Sequence, residues 1–235
     1  AMAESERLRS ALLSSISHDL RTPLATILGS VTSLRSLGGQ MPKESQTELL
    51  SAIEEETRRL SQFVTNLLDM TRLEAANLEI KRDWVDLADI IRAAVARGQM
   101  AWPDRKIDLS IAKGLPLVHG DSGLLEQVVF NLLDNAHKYS LPGTSTKVSA
   151  QERNREILLE VSDEGQGIPP EDLERVFDKF YRVKHGDGRS AGVGLGLAIC
   201  RGIVMALGGS ITAASPLADG RGTRITIRLP VPAVS

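Results

Sequence analysis

Between Leu50 and Thr71 the chain places Leu50, Ile53, Thr57, Leu60, Val64, Leu67 and Thr71 at alternating three- and four-residue steps. That is a heptad-like seam along one helix, too narrow to enclose a core by itself. A second helical stretch precedes it, from near Glu4 to about Leu37, where Leu12, Ile16, Leu20, Leu24, Ile27, Val31 and Leu34 form an apolar stripe. Gly38-Gly39-Gln40-Met41-Pro42 breaks the pattern between the two, glycine stopping one helix and proline opening the next. Two such helices cannot bury their seams alone. Two copies of the hairpin can, as a four-helix bundle, so the spacing predicts a homodimer.

His18 stands out on the first helix. It lies two positions from Ile16 and from Leu20, about 200° off the apolar stripe, so its imidazole is expected to face solvent. An isolated histidine there is ordinarily a surface group. Here Asp19 follows directly and Pro23 stands five residues on, where a helix interior loses an N–H and gains a ring clash. An imidazole beside a carboxylate, near a bend, is the setting of a nucleophile held on a helix face.

From about Trp84 the pattern changes. Residues 86–91 read as a short helix and 106–111 as an alternating strand. A helix follows over 121–139, strands over 147–150 and 157–161, a helix over 195–207, and strands over 210–212 and 223–229. Helices on one face of a mixed sheet make a two-layer α/β sandwich. The expected organisation is a helical-hairpin dimerisation domain at 4–75, a linker at 76–83, and an α/β sandwich at 84–232.

Four elements of this second half point together to a nucleotide. Asn131 and Asn135 are four apart on one helix face, with Lys138 and Tyr139 a turn further. Two carboxamide oxygens suit a hydrated magnesium ion, Lys138 suits phosphate, and Tyr139 offers an aromatic edge to a base. Asp163-Glu164-Gly165-Gln166-Gly167-Ile168-Pro169 leaves a strand, its carboxylate able to accept from an exocyclic amine and its glycines allowing close approach. Gly192-Val193-Gly194-Leu195-Gly196-Leu197 opens a helix, where backbone N–H groups collect phosphate. Phe177 to Arg182 supplies aromatic anchors, and the basic, glycine-rich span from Lys184 to Ser190 has the composition of a lid. Each element alone is also an ordinary surface pair, strand exit or turn. Their order is what carries weight.

Composition narrows the partners. A net charge of −2 gives no electrostatic case for nucleic acid. Cys200 is the single cysteine, which rules out an intramolecular disulfide and a thiolate zinc cluster. No run of about 18 apolar residues marks a membrane span, so the chain reads as a soluble piece, making no membrane contact itself, of something longer.

At this point the residues resemble a bacterial two-component sensor histidine kinase. Ser17-His18-Asp19-Leu20-Arg21-Thr22-Pro23-Leu24 resembles the H box of a HisKA-type phosphoacceptor domain, and the stretch 131–139 the N box. The run 163–167 is similar to the G1 box, 177–181 to the F box, and 192–196 to the G2 box. The residues around the H box most resemble the Kdp-type potassium-responsive sensor kinases.

The resemblance implies ATP and Mg2+ as cofactors, and transfer of the γ-phosphoryl group to Nε2 of His18. An aspartate on the receiver domain of a response regulator would then accept it. Asp19 would act on Nδ1, and Thr22 matches the position that orients water in members that also dephosphorylate their regulator. Asn131 and Asn135 would hold magnesium, Lys138 and Arg182 would balance phosphate charge, Tyr139 would meet base or ribose, and Asp163 would read adenine. Gly165, Gly167, Ile168, Tyr181, Gly192, Gly194, Leu195, Gly196, Leu197 and Thr223 complete the expected nucleotide contacts. His137 fills a place in the N box where small or apolar residues are common, and is expected to pack or lie at the surface rather than react.

Three rivals remain. A hydrolysing ATPase of the gyrase and chaperone type would carry a glutamate where this chain has Asn131, a serine kinase would lack His18, and a dead scaffold would show decayed boxes.

Overall fold

Helix α1, Met2–Leu37, runs unbroken through Pro23 in the computed structural model, which describes the backbone of residues 2–74, 80–183, 194–217 and 220–232, with side chains from residue 20 onward except at 72 and 74. A single 3-10 turn, Gly38–Gln40, leads to α2, Lys43–Glu74. Gln46 closes this connection by donating from Nε2 to the carbonyls of Gly38 and Met41 at 2.8 and 3.0 Å. The chain divides into two compact units, 1–69 and 70–235.

In the first unit the expected seams split by heptad position. Leu20, Ile27 and Leu34 on α1, and Ile53, Leu60 and Leu67 on α2, are half-buried at strict seven-residue intervals. Their companions Leu24, Val31, Leu50, Thr57, Val64 and Thr71 are exposed, Leu24 by 51% and Leu50 by 56%. One hairpin therefore covers only half of each seam. Pro23 and Ser30, also seven apart, are buried, so the proline belongs to the packed side of α1.

The second unit begins with a short strand, β1, Asp83–Val85, followed by α3, Leu87–Ala101. Asp86, expected inside this helix, is its N-cap, and accepts from the N–H groups of Ala88 and Asp89. The helix is 15 residues long where the sequence shows six, because beyond Ile91 it buries only Val95 beside the small residues Ala94 and Gly98, too few apolar positions to show a helical period. Then come β2, Lys106–Ile111, β3, Val118–Gly120, and α4, Ser122–Tyr139. The chain finishes with β4, Ser145–Arg153, β5, Glu156–Asp163, α5, Gly196–Ala206, β6, Ser210–Ala214, and β7, Thr223–Pro230.

The main sheet has the order β2-β4-β5-β7-β6, parallel only between β2 and β4, while β1 and β3 form a separate antiparallel pair. Strands β4 and β5 extend beyond the sequence expectation to a two-residue turn. Asn154 and Arg155 both take positive φ there, the backbone a tight hairpin needs. Alternation sends Val148 and Ala150 of β4, Ile157, Leu159 and Val161 of β5, and Ile225, Ile227 and Leu229 of β7 to one buried face. Against them α4 contributes Leu125, Val128, Val129, Leu132 and Leu133, flanked by α3 and α5, in a single core. Among the described residues no helix is long and apolar enough to cross a membrane.

Candidate functional site

Three chain ends meet over this core: the last turns of α4, the exit of β5 and the start of α5. The burial of α4 decides what it can present. Its apolar residues recur at three- and four-residue steps, and Asn131 falls among them at 6% exposed, with Nδ2 lacking any hydrogen-bond partner among the described residues. Burying an amide without a partner costs stability, so such an atom needs a reason. Asn135, one turn on, is half-buried, and Lys138 and Tyr139 are exposed. Lys138 is not an isolated point charge: its ammonium pairs with Asp134 one turn back. Behind Asn131 lies Cys200 of α5, wholly buried, its thiol pushed up to about 12 by desolvation, which outweighs the opposing pull of the Asn131 side chain facing its sulfur, and so inert as a nucleophile.

The start of α5 is bare. Leu195 stands at the N-cap with no side-chain cap, its own side chain 1% exposed in the core, so only its backbone can reach a ligand. Leu197 is half-buried. A Cβ built on Gly196 would stand 3.8 Å from Nδ2 of Asn135 and meet nothing nearer, which places the open helix terminus opposite the α4 carboxamide. Gly194, at φ 73°, is crowded: a Cβ there would lie 2.6 Å from the Tyr181 carbonyl oxygen. Gly192 and the expected lid, 184–190, lie outside the described residues.

At the exit of β5, Asp163 turns back on itself, Oδ1 accepting from Gly165 N at 2.8 Å. Burial raises its pKa, and backbone N–H groups of Gly165 and Thr223 pull the other way. Gly165 is pressed against α4, where a Cβ would sit 2.3 Å from the Tyr139 carbonyl, and it bridges to Ser140. Its own carbonyl accepts from Gly222 N at 2.9 Å. Ser215 fastens the same turn: Ile168 N donates to its Oγ at 2.7 Å, and that hydroxyl donates to the Gly222 carbonyl at 2.8 Å. Beside them Gly167 adopts φ 84°, and Thr223, paired with Asp163, is buried at 8% exposed. The Gly220-Arg221-Gly222 turn thus braces the aspartate loop.

Tyr181 is an internal anchor. Its hydroxyl donates to buried Asp172, which raises the phenol pKa, and the Arg175 guanidinium lies 4.2 Å from its ring centre. Phe177 is in the core at 5% exposed. Arg182 comes close enough to Tyr139 for its charge to oppose the rise that burial imposes on that hydroxyl.

His137 packs, as expected. Its ring stacks on Trp102 at 4.6 Å, and Trp102 stacks on Phe130 at 5.5 Å. His18 and Asp19 lie within the span of α1, but their side chains are outside the described residues, while Thr22 is exposed one turn further. Sequence reasoning missed Ser140, Ser215 and Arg105. The first two are serines in polar turns with no spacing signal, and Arg105 sits on the α3–β2 turn, remote from every box.

The donor set fits the groups expected. Among the described residues no three His, Cys, Asp or Glu side chains gather to hold a metal unaided. The carboxamide oxygens of Asn131 and Asn135, one helical turn apart, suit a magnesium ion that takes its remaining ligands from nucleotide and water, and the orphaned Nδ2 of Asn131 is an N–H donor suited to an acceptor such as a phosphate oxygen.

Comparison with known proteins agrees with this geometry. Residues 120–233 match the model for histidine kinase-, DNA gyrase B- and HSP90-like ATPases, and residues 8–76 match the His Kinase A phospho-acceptor domain. The sensor protein KdpD of Clostridium acetobutylicum is 41% identical over 219 residues, 92% of this chain and 24% of its own length. The chain spans about a quarter of the length of the curated relatives it matches first. The Acinetobacter baumannii histidine kinase AdeS superposes with a TM-score of 0.66 at 26% identity, covering 91% of this chain and 98% of that one. Full-length ShkA in complex with AMPPNP gives a TM-score of 0.66 at 25% identity, covering 95% of this chain and 46% of that one. With phospho-acceptor and ATPase regions both matched, in that order along the sequence, the chain belongs to the two-component sensor histidine kinases and is similar to their Kdp-type members.

Proposed function

We propose that this chain is the catalytic core of its protein: it binds ATP with Mg2+, phosphorylates His18 and passes the phosphoryl group to an aspartate of a response-regulator receiver domain. The observation that carries this is the uncapped start of α5 facing Asn135, with the orphaned amide of Asn131 a turn away. A helix terminus of open N–H groups beside two carboxamides receives a polyphosphate, not a hydrophobic ligand. The nucleotide-bound relative ShkA supports the same reading.

In this mechanism Asp163 accepts from the adenine amine, held in place by Gly165, Ile168 and Thr223. Tyr139 borders the base or ribose, and Lys138 turns from Asp134 towards phosphate, with Arg182 beside it. Backbone N–H groups at 192–197 hold the phosphate oxygens. Asn131 and Asn135 hold Mg2+, which when bound neutralises phosphate charge. Asp19 accepts the Nδ1 proton of His18 while the Nε2 lone pair forms the N–P bond, and the bond from phosphorus to the ADP oxygen breaks. Asn131 is where a hydrolysing relative would place a glutamate, so water lacks a base and the imidazole is the acceptor.

The exposed heptad positions Leu24, Val31, Leu50 and Val64 support a homodimer, in which a second hairpin covers them. Domain limits of 4–75, 76–83 and 84–232 are retained in this proposal. The parent is proposed to be an inner-membrane sensor responding to potassium, with this part in the cytoplasm, consistent with the greater length of its relatives.

Incubation with γ-labelled ATP tests the central claim. Acid-labile, base-stable label that disappears in His18→Gln is expected. Acid-stable label, or sustained phosphate release, would refute it.

A further inference from the structure

Arg105 belongs to none of the five boxes, yet its side chain makes four hydrogen bonds to the end of α4 and the residues just after it. The turn from α3 to β2 is closed by Arg105 N donating to the Trp102 carbonyl at 3.0 Å. From that turn the guanidinium forks. Nη2 donates to the carbonyls of His137 and Ser140 at 3.0 and 3.2 Å, Nη1 to that of Leu141 at 2.8 Å, and Nε to Nδ1 of His137 at 3.2 Å.

Helix ends leave carbonyls without intrahelical donors, and here one planar cation donates to those of His137 in the last turn and Ser140 at the C-cap, and to that of Leu141 just beyond. The charge also sits favourably at the negative end of the α4 dipole. Trp102, on the same turn, stacks on the His137 ring and blocks rotation of that face. What this clamp holds is the segment that continues into the nucleotide site. Lys138 and Tyr139 lie between the clamped carbonyls, and Ser140 bridges to Gly165, whose N–H fixes Asp163.

We propose that Arg105 is a positioning residue for nucleotide binding, locking the end of α4 so that Tyr139, Lys138 and the Gly165 turn stand ready for the base and phosphates. This rests on the nucleotide-site reading above. Without the clamp, the last turn of α4 and the aspartate loop must be ordered by the ligand itself, so affinity falls while the chemistry, once nucleotide is bound, is retained.

The test uses the full chain, with ATP and Mg2+ as the probe, in titration calorimetry and autophosphorylation kinetics. Arg105→Ala is expected to weaken ATP binding and raise KM about tenfold, the scale of one lost charge-assisted bond, with kcat within about twofold at saturating ATP. Arg105→Lys should recover only part of the affinity, since one ammonium cannot serve three carbonyls in a plane. Unchanged affinity in either variant overturns the proposal. So does a loss of kcat that saturating ATP fails to restore, because that is a fold defect. If Arg105→Ala does not fold, Arg105→Lys decides by the same criteria. Failure of the unmodified chain to bind ATP would overturn the nucleotide reading itself, which separates the two outcomes.

Discussion

The backbone N–H of Phe180 donates to the carbonyl of Gly194 at 2.9 Å, and both residues have positive φ, 62° and 73°. This bond closes the neck of the span between the F box and the phosphate helix. A left-handed phenylalanine is strained, and the strain is sustained by Tyr181 anchored on Asp172 and by Phe177 in the core. The neck therefore sets where α5 begins.

Gly194→Ala tests the neck. Its methyl would meet the Tyr181 carbonyl at 2.6 Å and take a left-handed conformation costing about 1 to 2 kcal/mol. ATP affinity should drop at least about tenfold by calorimetry. Gly196→Ala meets nothing nearer than 3.8 Å and should leave the melting temperature unchanged, so any loss of ATP binding there reports the backbone approach of phosphate.

Asn131→Ala should separate stability from function. It removes an orphaned buried amide, whose desolvation costs about 1–3 kcal/mol, so the melting temperature should hold or rise. Label incorporation at His18 should be lost. A fall in both would show that the amide has a structural partner.

Thr22 stands one turn beyond His18 and is exposed. If it orients water against phosphorylated regulator, Thr22→Ala should keep autophosphorylation and lose regulator dephosphorylation. Unchanged loss of label from purified phosphorylated regulator would remove the phosphatase role.

His137 makes stability depend on pH. Desolvation, then the charge of Arg105, holds its pKa below the ordinary 6.5, with Lys138 adding to this and Asp134 opposing it. As pH falls through 6.5 the unfolded chain takes up the proton first, so stability is lost between 6.5 and the lower folded value and is fully present above. Protonation also removes the Nδ1 lone pair that accepts from Arg105. Denaturant midpoints at pH 7.5 and 5.5 should differ, by less in His137→Gln than in the unmodified chain.

Much of the scaffold was legible because it rests on periodicity. The heptad steps of α2, the strand Lys106–Ile111 and the helix read over 121–139 all follow from local spacing, the last with Asp121 as its N-cap rather than its first residue. Strands β1 and β3 were not, since three residues contain a single alternation. The second half of α3 was hidden because two of its buried residues, Ala94 and Gly98, are small, Gly98 lying against Trp102, and leave Val95 as the one strongly apolar signal there.

The order of boxes, and the presence of His18, Asn131 and Asn135 at helical spacing, were settled by the amino-acid sequence alone, since each depends on neighbours within a turn. Tertiary structure alone decided which half of each seam the hairpin covers, that Tyr181 anchors on Asp172, and that Arg105 clamps α4 from 32 to 36 positions away. The physical reason is common to these cases. A hydrogen bond or an ion pair is chosen by proximity in the folded chain, and local spacing holds no record of which distant carbonyls will be left without a donor.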